Sequence, residues 1–67
     1  MEKTLKIEGM MCAHCQKHVH DALSKIASVT EVTVDLENKT ARVLAVRDIA
    51  NDEFKQVIAD AGYELVD

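Results

Sequence analysis

Between Lys3 and Glu8 the side chains alternate, with Leu5 and Ile7 on one side of the chain. Period-two alternation predicts a short β-strand, and Gly9 ends it. The period then changes. From about Ala13 to Ala27, the residues Val19, Ala22, Leu23 and Ile26 follow the i, i+3, i+4, i+7 spacing of one helical face. Val32, Val34 and Leu36 alternate with Thr33 and Asp35, which predicts a second strand. The polar triplet Glu37-Asn38-Lys39 suits a tight turn. Thr40 to Val46 reads as a third strand and completes a hairpin. Its apolar residues fall on both sides, Ala41, Val43 and Ala45 against Leu44 and Val46, so the pattern leaves its inner face open. Asn51 is expected to cap a second helix, with Asp52 and Glu53 where the helix dipole favours acids. Phe54, Val57, Ile58 and Ala61 form its apolar stripe, and Gly62 supplies a left-handed stop. Tyr63 to Val66 is the last strand.

The predicted order is β-α-β-β-α-β. Two split βαβ units of this kind pack as an α+β, ferredoxin-like sandwich: a four-stranded antiparallel sheet with both helices on one face. The other sheet face is expected to stay in water, which suits the polar alternation of the first strand.

Composition narrows what such a sandwich can do. At 67 residues there is room for one domain, read as 1–67, with no repeat or linker. A domain of this size buries only about 60% of the surface its unfolded chain exposes. Function is therefore expected at the surface or in a loop rather than in a deep cleft. The net charge of −4 disfavours nucleic acid or an anionic membrane as the main partner. Phe54 and Tyr63 are the only aromatics, too few for a base-stacking platform. No apolar run approaches the ~20 residues of a membrane span, and Met1 to Lys6 lacks the apolar core of a signal peptide. The expected compartment is the cytoplasm, where two cysteines stay reduced and serve metal or redox chemistry. No Ser-His-Asp set, phosphate loop or paired-carboxylate motif is visible, so a carrier is expected rather than an enzyme. The start at Met1 and the end just after the last strand favour a stand-alone protein over a module of a longer one.

The chemistry lies in Gly9-Met10-Met11-Cys12-Ala13-His14-Cys15, between the first strand and the first helix. Two cysteines three apart can reach one small ion, and thiolate is a soft ligand that favours Cu(I) or Zn(II). The first turn of a helix adds partial positive charge and unpaired N–H groups, which stabilise thiolates. At about 100° per residue, Cys15 falls on the meridian of Val19, Ala22 and Ile26, so its sulfur belongs at the rim of the core. Cys12 precedes the helix and belongs in the exposed loop. With two strong ligands the site is open and nearly linear. Cu(I) accepts that, whereas structural zinc takes four ligands.

This segment resembles the Gly-Met-x-Cys-x-x-Cys motif of heavy-metal-associated domains. The Cys-x-His-Cys form and Ala61-Gly62-Tyr63 look like the bacterial copper chaperones of the CopZ type. The resemblance covers the whole chain. It implies Cu(I) as the metal, Cys12 and Cys15 as its ligands, Met10 as a core residue under the loop, and Tyr63 beside the metal loop. It further implies exchange of Cu(I) with the metal-binding domains of a copper-transporting P-type ATPase, and extends to a copper-responsive repressor. Met11 stands where the family usually has Thr or Ser, Ala27-Ser28-Val29 lacks the usual Gly, and the chain has no Pro.

Several readings stay open at this level. The same motif serves carriers of mercury or of zinc and cadmium. A thiol-disulfide pair also sits between strand and helix, but in a larger fold with a cis-proline. His14 is a third ligand, a tuner of the thiols or a solvated residue. Met11 is packed or exposed beside the metal. His18 completes Cys-x-x-Cys-x-x-His on paper at about 60° from Cys15, yet it and His20 read first as surface residues. Thiolates exposed on two copies can also share copper, giving a metal-bridged homodimer.

Overall fold

The computed structural model describes residues 1–66. Six elements follow in the expected order: β1 Glu2–Glu8, α1 Ala13–Ser24, β2 Val29–Asp35, β3 Thr40–Ala45, α2 Asn51–Asp60 and β4 Glu64–Leu65. The four strands form one antiparallel sheet in the order β2-β3-β1-β4. Leu5 lies opposite Ala41, Val43 opposite Val32, and Ile7 opposite Leu65. These residues point to one face, where the helices bring Val19, Leu23, Phe54 and Ile58. The sheet and the two helices thus close a single core, and the ferredoxin-like expectation holds.

The inner face of β3 is now defined. Ala41, Val43 and Ala45 are buried, whereas Leu44 is half-buried and Val46 exposed. Pairing with β1 and β2 decides this, because period two admits only one inward set. On the open face, Arg42 pairs with Glu2 across β1 and β3. The hairpin turn is tightened by Asp35, whose carboxylate accepts from the Asn38 backbone N–H at 3.1 Å and from its side-chain amide at 2.7 Å.

Three boundaries differ from the sequence reading. The first helix ends at Ser24, short of Ala27. Lys25 and Ile26 turn back through bonds to Ala22 and Leu23, and Ile26 stays buried beyond the helix end. The cap of α2 is Ala50, not Asn51; Ala50 is extended, and its carbonyl accepts from the N–H groups of Glu53 and Phe54. The acids Asp52 and Glu53 do occupy the first turn. The last strand is two residues long rather than four, although Val66 N–H still reaches Lys6 carbonyl at 2.8 Å.

At the exit from α1, Ser28 is buried, and its hydroxyl has no hydrogen-bond partner among the described residues. Its carbonyl accepts from Val46 N–H at 2.8 Å. No helix among the described residues is long and apolar enough to cross a membrane.

Candidate metal centre

Gly9 ends β1 at φ 93°, a left-handed conformation that L side chains rarely adopt. This turn aims the loop over the end of the sheet. Met10 is fully buried and pins the loop to the core from below. Met11 points the other way and is 79% exposed, which settles its two readings in favour of solvent. Cys12 then caps α1 in an extended conformation, and its carbonyl accepts from Gln16 N–H at 3.0 Å. Gln16 in turn donates to the Val34 carbonyl of β2 at 3.0 Å, fixing the start of the helix against the sheet edge.

The two thiols meet at the helix start. Both cysteines are free, and their sulfurs lie 3.2 Å apart. Cys12 is exposed; Cys15 is half-buried and packs against the core. The inequality read from the helical stripe is therefore present in the structure. No acid stands in the first turn of α1, unlike α2. The positive end of the α1 dipole is left for the thiolates.

Tyr63 enters from the far end of the chain. The turn at Gly62, with φ 94°, follows α2 and brings the tyrosine beside Gly9 and the loop. A Cβ on Gly9 would sit 3.5 Å from the Tyr63 ring. The Cys15 thiol is drawn down from its ordinary range to about 7, first by hydrogen bonding with the Tyr63 hydroxyl, then with the Met11 backbone and the Cys12 thiol; burial opposes this. The same contact pushes Tyr63 up to about 12, with burial and the charges of Cys15 and Cys12 adding to it. A hydrogen bond donated by the phenol to the thiolate has both effects.

Replacing Tyr63 by Phe is expected to raise the Cys15 titration. At neutral pH the wild-type thiol is about half ionised, so losing the donor lowers the thiolate fraction several-fold. A pH profile of alkylation, half-maximal near pH 7 in the wild type, is expected to move to higher pH. An unmoved midpoint would count against Tyr63 as the donor.

The histidines divide. His14 is exposed between the cysteines, and its ring centroid is 6.4 Å from that of His18. His20 lies on another side of α1, with Nδ1 3.5 Å from the Asp21 carboxylate. His18, read from sequence as a surface residue, is exposed but also bonded: its Nδ1 is 3.3 Å from the Tyr63 hydroxyl. That contact spans 45 positions of chain, and no local pattern signals it. No three His, Cys, Asp or Glu side chains converge as a metal site among the described residues.

The thiol pair can take an ion with modest movement. At a metal–sulfur bond of ~2.3 Å, a bent two-sulfur ion needs the sulfurs roughly 3.8 Å apart and a linear one roughly 4.6 Å. Cys12 is exposed and precedes the helix, so its side chain can swing outward by that amount. Cys15, held by the core and Tyr63, provides the fixed point.

The class these features define is a small α+β sandwich that presents a thiol pair from its first loop. Within that class, the chain belongs to the heavy-metal-associated domain family, whose profile matches residues 4–64. It is 38% identical to the copper chaperone CopZ of Staphylococcus aureus, over 97% of each chain. It is also 38% identical to a probable copper-exporting P-type ATPase of Archaeoglobus fulgidus, where the whole chain aligns with 8% of the larger protein. Among solved structures, it superposes on a CopZ metallochaperone with a TM-score of 0.88 at 38% identity, covering 98% of this chain and 100% of the other. The N-terminal domain of ZntA in its Zn(II) form gives a TM-score of 0.84 at 31% identity, over 96% and 86% of the two chains.

Proposed function

We propose that this protein, a single domain over residues 1–67, is a copper(I) metallochaperone, a metal carrier rather than an enzyme. The observation that carries the reading is the thiol pair, with its sulfurs 3.2 Å apart, one exposed and one anchored. The kinship with copper chaperones and with a copper-ATPase domain supports it. Cys12 and Cys15 are the ligands. Tyr63 tunes Cys15, and Met11 and His14 border the ion on its solvent side. A two-thiolate site suits Cu(I), a soft ion tolerant of low coordination. The cytoplasm, where thiols stay reduced, is the compartment that keeps it working.

Transfer then follows from the inequality of the sulfurs. A thiolate of the partner, the metal-binding domain of a copper-transporting ATPase, adds to copper and makes it three-coordinate. The Cu–S bond to Cys12 breaks first, because that sulfur is exposed whereas Cys15 packs against the core. A second partner thiolate then replaces Cys15. Copper stays Cu(I) throughout, and each bond broken is matched by one formed.

A second reading is zinc, favoured by the likeness to the Zn(II) form of ZntA. X-ray absorption of protein loaded with one equivalent of Cu(I), in competition with Zn(II), separates the two. The expected result is bound copper with sulfur neighbours only, two or three in number. Zinc that displaces Cu(I) from the thiol pair, with sulfur in its coordination, would overturn the copper reading.

A further inference from the structure

Each imidazole has two nitrogens, and at His18 one is already engaged. Nδ1 faces the Tyr63 hydroxyl at 3.3 Å, which leaves Nε2 as the nitrogen free for another partner. A metal on Nε2 selects the tautomer with the proton on Nδ1. The hydroxyl oxygen can accept a hydrogen bond from that N–H. A metal-bound histidine is ordinarily held in this way, by an oxygen that accepts its other N–H.

His14 lies four residues earlier, one helical turn back on the same face of α1. Its ring centroid is 6.4 Å from that of His18, with the planes tilted by 57°. Both side chains are exposed. At a metal–nitrogen bond of ~2.1 Å, two imidazoles on one tetrahedral ion have centroids roughly 5 Å apart. Closing that gap takes about 1 Å of ring movement, within reach of an exposed His14. His20 does not join them, since two further positions rotate it by about 200° around the helix.

We infer that His14 and His18 form a second metal site, distinct from the thiol pair, that takes a borderline divalent cation such as Zn(II) between two imidazole nitrogens. Imidazole suits Zn(II), Ni(II) and Cu(II), whereas the thiol pair suits soft ions, so the first two turns of α1 present two ligand sets of different softness. With two protein ligands, water fills the remaining positions, and the ion exchanges readily. Tyr63 stands between the two sites: its hydroxyl faces His18 Nδ1 at 3.3 Å and lies close enough to Cys15 to draw its thiol down.

The test uses Zn(II) alone, titrated into the Cys12→Ser/Cys15→Ser variant and followed by imidazole NMR. Without thiols, the experiment does not depend on the copper reading. We expect one equivalent to shift the rings of His14 and His18 saturably. Adding His14→Ala or His18→Ala is expected to weaken binding at least about tenfold (~1.4 kcal/mol), and His20→Ala to leave it unchanged. The same titration of wild-type protein carrying Cu(I) guards against a loop disturbed by the serines, and is expected to shift the same two rings. Zinc that moves neither ring in either protein overturns the site. So does an affinity that survives His18→Ala.

Discussion

Replacing either Cys12 or Cys15 by serine is expected to weaken Cu(I) binding on the order of a thousandfold, about 4 kcal/mol. A soft ion held by two sulfurs loses half its ligands, and a serine hydroxyl is a hard, neutral substitute. The two variants are not expected to behave alike. Cys12→Ser leaves the anchored sulfur of Cys15 with its Tyr63 donor, the largest of the influences that draw its thiol down. Cys15→Ser leaves an exposed sulfur on the loop and removes the partner of Tyr63. The loss is therefore expected to be larger for Cys15→Ser. A competition with a chromophoric Cu(I) chelator measures both. Undiminished affinity in the two single variants would remove these residues as the ligands.

Phe54→Ala is expected to leave the chain largely unfolded at 25 °C. Phe54 is fully buried and is the largest side chain in the core, between α2 and the sheet. Truncating a buried Phe costs about 3–5 kcal/mol, through lost transfer energy and the cavity left behind. A domain of this length is stable by roughly 3–10 kcal/mol in total. The cost is thus comparable with everything that holds the domain together. No second layer of core exists to absorb it, since one sheet face is open to water. Urea unfolding followed by circular dichroism reads the effect as a midpoint near zero. A variant retaining most of the wild-type midpoint would show that the α2 side of the core collapses onto the vacancy.

Much of this was legible along the chain because it is local and periodic. Val19 and Leu23 announced the inner face of α1 by spacing alone, and the same spacing separated an inner Cys15 from an outer Cys12. Gly9 and Gly62 marked real left-handed positions. What stayed open or was misplaced needed more than the local pattern. The inner face of β3 needed β1 and β2 to choose between Val43 and Leu44. Ala50 took the cap expected of Asn51, and its carbonyl accepts the first bonds of the helix, from Glu53 and Phe54 N–H. The His18–Tyr63 bond joins residues 45 positions apart. The resemblance could place Tyr63 near the loop, but it carried nothing about His18, whose role arises from this chain's own helix surface.

The shortness of β4 bears on how the site moves. Its pairing with β1 covers Ile7–Leu65 and Glu8–Glu64, against five paired positions between β1 and β3. Cooperative units open locally at a lower free energy where few backbone bonds hold them. The C-terminal strand is thus expected to open at a lower free energy than the β1–β3 ladder, and amide exchange at Leu65 faster than at Val43 would report it. An opening that reached Tyr63, whose N–H is bonded to the Ile58 carbonyl at 3.1 Å, would part the phenol from His18 while leaving the core residue Met10 in place.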